Sequence, residues 1–188
     1  MKKIVAGVDE VGRGCLAGPV ISAAVILKKN INLKDIKDSK KISFSNRFKI
    51  ADYIKKNSYY AFGIADVDEI FKFNILKASL LSMKRAIENL SKKPNLILID
   101  GPFAPEGIKN YKTIINGDDK IKCISAASVI AKTYRDLLMI KLSEKFSNYA
   151  GESDFGYVTK AQLDGLKKFG VTTHHTRGFK PIHKILSR

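Results

Sequence analysis

Two short apolar segments end in carboxylates, and this constrains the chain more than any other feature. Ile4 to Val8 runs directly into Asp9 and Glu10, and the fully apolar Leu96 to Ile99 runs into Asp100. An uninterrupted apolar run of four or five residues, with no polar alternation, suits a strand buried on both faces. A sheet buried on both faces needs helices to cover it, and the intervening segments provide them. Phe44, Phe48, Ala51 and Ile54 share one helical face behind a capping Ser43. Ile75, Leu76, Leu80, Met83, Ile87 and Leu90 recur at helical spacing after Asn74, and Ser125 to Phe146 reads as a third helix whose SAASVIA start is small enough to pack closely on a sheet. Further strands are expected at Val20–Leu27, rich in β-branched residues, at Tyr59–Ala65, and more weakly at Lys112–Ile115. Alternating strands and helices predict an α/β fold with a sheet flanked by helices. At 188 residues and 20.9 kDa, one domain is expected. From Tyr149 onward the sequence is basic, turn-rich and only partly helical. There are no internal repeats, low-complexity tracts or linkers.

The carboxylates at the strand ends carry chemical information. In open α/β sheets ligands bind beyond the carboxyl ends of strands. Several acids placed there are partly desolvated and repel one another, and they stay ionised when a cation joins them. Hard oxygen donors without a Cys or His set favour Mg²⁺ or Mn²⁺ over Zn²⁺. Asp9, Glu10 and Asp100 are therefore candidate metal ligands, and Asp118 or Asp119 is placed to complete the set. The alternative for each acid is a structural role, as a cap, an ion-pair partner or a charge complementing a helix N-terminus.

Gly12, Gly14 and Ala17 match the GxGxxG/A dinucleotide fingerprint, but the context opposes that reading. Asp9 and Glu10 would set negative charge beside a pyrophosphate. Pro19 then leads into a second strand, not into the helix whose N-terminus must hold the phosphates. A Gly-Arg-Gly turn beside carboxylates instead suits close backbone approach to a polymer, with Arg13 available to phosphate.

Charge points the same way. Lysine and arginine number 34 against 18 acids, a net charge of +16, and so basic a domain usually meets a polyanion, nucleic acid first. Lys132, Arg135 and the tail residues Lys160, Lys167, Lys168, Arg177, Lys180, Lys184 and Arg188 form the expected phosphate footprint. Each phosphate they neutralise would contribute a slope of about −0.9 to log K against log salt. His174, His175 and His183 match no zinc spacing and are expected at the surface or on phosphates. Cys15 and Cys123 form no CxxC pair and are expected to be reduced, as in the cytoplasm. No apolar run is long enough to span a bilayer, so no membrane partner is expected.

The segment GVDEVGRGCLAGPVISAAVIL closely resembles the opening motif of type 2 ribonuclease H, the bacterial ribonuclease HII family. In order along the chain, the resemblance continues through DSKKIS (38–43), FNILKASLLSMKRAI (73–87), LILIDG (96–101), GDDKIKCISAASVIAKTYRD (117–136), GYVT (156–159) and HHTRGFKP (174–181). It implies a ribonuclease H-like fold with a mixed central sheet, one catalytic domain over residues 1–188, and a C-terminal helical extension from about residue 147 that grips substrate. It also implies hydrolysis of RNA in RNA–DNA hybrids and incision on the 5′ side of single ribonucleotides in duplex DNA, by a monomer, with recruitment by a sliding clamp left open. By the resemblance, Asp9, Glu10, Asp100 and Asp118 are the catalytic acids, with Asp118 preferred to Asp119 because it directly follows the glycine. Gly12, Arg13 and Gly14 would sense the ribose 2′-hydroxyl, and Tyr157 would stack at the junction. The chain departs from the family's usual residues at Cys15, Phe155, Gln162, Thr176 and Gly178, which bears on substrate grip. A metal-dependent DNA junction nuclease of the same fold and a non-catalytic RNA–DNA binding module are the competing functions.

Overall fold

The structure is a computed structural model, and it describes residues 3–29, 31, 44–145 and 155–186. The capping role expected for Ser43 and the DSKKIS segment fall outside the described residues.

Five strands form one mixed sheet: β1 (Val5–Val11), β2 (Val20–Leu27), β3 (Ser58–Ala65), β4 (Leu96–Asp100) and β5 (Tyr111–Ile114), in the order β3-β2-β1-β4-β5. The meander β1–β2–β3 is antiparallel, while β4 and β5 add parallel to β1. Seven helices are described: α1 (Phe44–Lys56), α2 (Val67–Phe73), α3 (Ile75–Glu88), α4 (Gly117–Lys120), α5 (Lys122–Lys145), α6 (Lys160–Phe169) and α7 (Lys180–Leu186).

The period-2 alternation of strand side chains divides the core into two layers. Ala6, Val8, Ala24, Ile26, Ile97 and Ile99 pack on Met83, Ala86 and Ile87 of α3 and on Leu90 just beyond its end. On the opposite face, Ala23 and Val25 meet Ala126, Ala127, Val129, Ile130 and Ala131 of α5 and Ala51 and Ile54 of α1. Glycines let both helices approach the sheet closely. A Cβ at Gly7 would fall on the α5 backbone at Cys123 and Ile124, and one at Gly63 would fall on the α3 backbone at Ser82 and Ala86.

Three details differ from the sequence reading. Asp9 and Glu10 lie within β1, which pairs with β2 through Val11, because β2 supplies partners past the last apolar residue. Helix α5 begins at Lys122, a turn before Ser125. Asn74 does open α3, its side chain accepting from the Leu76 and Lys77 amides, but it also ends α2. The short α2 was hidden because a capping box of Asp66 and Glu69, not apolar periodicity, defines its start.

The described C-terminal part folds onto the turn between β1 and β2. Leu16 of that turn is fully buried against Leu166 of α6 and Ile182 of α7. The chain around Leu16 is held on both sides: its amide donates to the Gly156 carbonyl at 2.7 Å, and its carbonyl accepts from the Thr176 amide at 2.8 Å. Flanking bridges pair Cys15 with Tyr157 and Ala17 with His175.

Candidate active site

The register of two parallel strands creates the site. Val8 pairs with Ile99 across β1 and β4, so the next residues, Asp9 within β1 and Asp100 at the end of β4, sit side by side at the same level and on the α5 face. With Glu10 and Asp118 they line one cleft of about 340 Å³, together with Arg47, Ser128, Lys132 and Tyr157. The four acids expected from the sequence therefore share a cleft. They line it without converging on a point: no group of three or more His, Cys, Asp or Glu is assembled as a metal cage among the described residues.

Each carboxylate is held differently. Asp9 is buried, its Oδ1 accepts from the Glu10 amide at 2.7 Å, and the Ser128 hydroxyl of α5 hydrogen-bonds to it. Burial first, and Glu10 and Asp100 after it, push the Asp9 carboxyl well above the usual carboxylate range despite those bonds. Burial also raises Glu10, opposed by Arg13, whose guanidinium lies 3.3 Å from Oε1. The other oxygen, Glu10 Oε2, is buried with no hydrogen-bond partner among the described residues. Asp100 Oδ1 accepts from the Gly117 amide at 2.6 Å and, more distantly, from the Asp118 amide at 3.4 Å. One oxygen of Asp100 thus anchors α4 to β4, and this anchor carries Asp118 into the cleft. Asp118 is half-buried and lines the cleft, whereas Asp119 is exposed and does not, which separates the two candidates.

The Gly-Arg-Gly turn directly follows Val11, which lines this cleft, and its Arg13 reaches Glu10. Gly12 has a positive φ of 107°, and a Cβ there would lie 2.7 Å from both Arg135 Nε and the Pro19 carbonyl. Gly14 is exposed, and a Cβ there would meet nothing within 4 Å. Tyr157 is 36% exposed, with Lys132 Nζ 4.8 Å from its ring centroid. Its hydroxyl and the Cys15 thiol hydrogen-bond each other, and burial raises both groups above their ordinary pKa. Cys15 and Cys123 are both free thiols.

The dinucleotide reading is excluded by the strand β2 that follows the turn. Two further expectations are corrected. Arg135 is fully buried and spends its donors on backbone carbonyls, so it cannot reach phosphate. His175 is buried in the bridge to Ala17, its Nδ1 accepting from the Thr172 amide at 3.0 Å, and burial lowers it to about 4. Sequence reasoning did not single out Ser128 or Arg47. Ser128 had a signal, since it is a small residue on the face of α5 that touches β1; Arg47 had none, because it reaches the cleft from α1, remote in sequence. Of the departures from the usual family residues, Cys15, Gln162 and Thr176 are buried around Leu16 and α6, and Phe155 stacks on Phe44 at 5.8 Å.

A mixed sheet with carboxylates on neighbouring parallel strands, covered by helices and edged by lysine and arginine, defines the ribonuclease H-like class of metal-dependent nucleases. The comparisons give the family. The ribonuclease HII model matches residues 6–184. Ribonuclease HII of Pelagibacter ubique is 53% identical over 186 residues, covering 98% of this chain and all of that one. Among solved structures, ribonuclease H2 from Pyrococcus horikoshii superposes with a TM-score of 0.80 at 25% identity, over 98% of this chain and 97% of that one. Bst-RNase HIII in complex with Mn²⁺ shares the fold, with a TM-score of 0.78 at 17% identity over 98% of this chain and 70% of that one. The chain belongs to the ribonuclease HII family, and it is accordingly an endonuclease of the ribonuclease H type, acting on RNA–DNA hybrids.

Proposed function

We propose that this enzyme incises duplex DNA on the 5′ side of embedded single ribonucleotides, as well as cutting the RNA strand of hybrids, and leaves 5′-phosphate and 3′-hydroxyl ends. The observation that carries this reading is the meeting of two devices: a four-carboxylate cleft lined also by Tyr157, and a glycine turn whose Arg13 reaches Glu10 and whose next residue, Cys15, bridges Tyr157.

The donor set fits a hard divalent cation. Glu10 Oε2 is buried without a partner among the described residues, and Asp9 is held at a cost that a cation would relieve. Asp9, Glu10, Asp100 and Asp118 would hold Mg²⁺ or Mn²⁺, all through oxygen. Bound there, two such ions would supply a nucleophilic water and charge stabilisation at the leaving 3′-oxygen, the chemistry of in-line displacement at phosphorus. The Mn²⁺ in the Bst-RNase HIII structure supports the same cation class here.

The protein's own groups do the remaining work. Ser128 orients Asp9, and the amides of Gly117 and Asp118 orient Asp100, so both carboxylates are fixed before substrate arrives. Only the 2′-hydroxyl separates RNA from DNA at a junction, and a backbone turn can approach it most closely. Gly14 suits this role because its missing Cβ leaves open space that no part of the protein fills. Tyr157 offers a half-exposed ring for stacking, and Lys132 beside it places positive charge where the phosphate backbone passes. The C-terminal extension, of which residues 155–186 are described, contributes Tyr157 and holds the glycine turn from behind.

A nicking assay on a duplex carrying one ribonucleotide, run beside all-DNA and RNA–DNA hybrid duplexes and a four-way DNA junction, tests the reading. Mg²⁺- or Mn²⁺-dependent incision 5′ of the ribonucleotide is expected, with the all-DNA substrates uncut. Cleavage of the all-DNA junction would favour a junction nuclease instead, and binding without cleavage would favour a binding module.

A further inference from the structure

We propose that Arg135 is a positioning residue that holds the glycine turn and Tyr157 in register with each other and with Asp9. This rests on the reading above, in which the turn and Tyr157 recognise the ribonucleotide. Arg135 is fully buried. Its Nε donates to the Pro19 carbonyl at 3.0 Å, one terminal nitrogen to the Phe155 carbonyl at 2.8 Å, and the other to the Ala17 carbonyl at 2.8 Å. Ala17 and Pro19 lead out of the glycine turn, and Phe155 leads into Tyr157. One guanidinium therefore ties together two segments separated by more than a hundred residues of sequence.

The contact with the recognition elements is direct. A Cβ at Gly12 would touch Arg135 Nε, so the turn rests on the guanidinium itself. The ring of Tyr157 lies over the same group, 5.9 Å from its central carbon. Burying a guanidinium against neutral carbonyls is costly, and only a planar fork of donors satisfies three acceptors lying in different directions. A lysine offers one nitrogen in place of three. Arg135 also shares a face of α5 with Ser128, seven residues and about 10 Å back along the helix. Ser128 holds Asp9. Helix α5 thus acts as a rigid ruler between the acid and the two recognition elements.

The test uses Arg135→Lys and Arg135→Gln in the full chain, each with its folded fraction fixed by thermal denaturation. Substrates are a duplex with one ribonucleotide and its all-DNA counterpart, with products resolved at nucleotide resolution. Mn²⁺ binding is followed separately by calorimetry. The expected result is folded protein, Mn²⁺ affinity within about twofold of the parent, kcat/KM on the ribonucleotide duplex lowered at least tenfold, and incision spread over phosphates beside the junction. A purely structural residue would lower activity only in proportion to folded protein and leave the incision position unchanged, and that result would overturn the proposal. Failure of both variants to fold would also overturn it, making Arg135 a determinant of the fold. The parent enzyme separates the two levels of inference: if it does not prefer the ribonucleotide duplex over all-DNA, the reading of the site is wrong irrespective of Arg135.

Discussion

Asp136 is the most demanding test of the packing behind the cleft. It is fully buried on α5, with Oδ2 3.0 Å from an Arg47 terminal nitrogen and Oδ1 2.7 Å from Lys132 Nζ. It joins α1 to α5 and sets the lysine that lies against Phe155 and Tyr157. Asp136→Asn keeps the shape but removes the charge, and it turns an amide NH₂ toward one of the two cations. Removing one partner of a buried ion pair costs about 3–5 kcal/mol when the remaining charge is cut off from water. Here the two cationic side chains keep 15% and 25% of their exposure, so partial rehydration reduces the expected loss to about 2–3 kcal/mol. For a domain of this size that corresponds to a fall in Tm of about 5–10 °C. Urea denaturation followed by circular dichroism measures the loss, and an unchanged m-value would show that the unfolded state is not responsible. Adding Lys132→Met to Asp136→Asn should restore part of the stability, with a coupling energy of about 1 kcal/mol or more. A loss below about 0.5 kcal/mol for Asp136→Asn, or strict additivity in the cycle, would refute a buried carboxylate holding two cations.

Three further outcomes are expected. Asp9→Asn should abolish Mg²⁺-dependent cleavage while stabilising the cation-free protein by about 1 kcal/mol in urea, because it removes a buried charge that Glu10 and Asp100 repel; retained turnover would remove Asp9 from the catalytic set. Gly14→Ala should leave stability within about 0.5 kcal/mol of the parent yet lower kcat/KM on a ribonucleotide duplex, whereas Gly7→Ala, pressed against the α5 backbone, should cost about 2 kcal/mol or more of stability; equal stability losses in the two variants would contradict the packing described. His175, lowered from 6.5 to about 4 by burial, binds a proton in the unfolded chain before the folded one does, so its contribution is complete above pH 6.5 and is lost as pH falls toward 4. The full shift corresponds to about 3 kcal/mol, and solvent near the segment brings the expected loss to about 2 kcal/mol. Urea titrations at pH 4 and 7 on the parent and His175→Phe should show a smaller pH-dependent loss in the variant.

Much of this architecture is legible in the sequence because local signals and the final fold agree. The apolar runs at Val5 and Leu96 become neighbouring buried strands, and the spacing of Leu80, Met83 and Ile87 marks the face of α3 that meets them. What the sequence leaves open is pairing. Asp9 and Asp100 are natural ligand candidates one at a time, but only the β1–β4 register sets them side by side. Asp118 and Asp119 are indistinguishable as residue types, and only the anchoring of α4 by Asp100 shows that Asp118 lines the cleft while Asp119 is exposed. Charge misleads most at Arg135, because a count of basic residues cannot tell a guanidinium facing phosphate from one facing carbonyls. His175 misleads similarly, since its burial depends on a bridge to Ala17 that no local pattern announces. Arg47 is the residue no sequence signal would have found.

The weave of Cys15–Gly18 between Gly156–Tyr157 and His174–Thr176 has a consequence for synthesis. Chains fold from the N-terminus as they are made, and every strand of the sheet, with α3 and α5, has been translated by Lys145. A chain made only that far carries all four acids but lacks the segments around Gly156–Tyr157 and His174–Thr176 that bridge to Cys15–Gly18. The acids of the cleft are thus in the polypeptide before the tyrosine that lines the same cleft, and the last segments to be made are those that fasten the turn between β1 and β2.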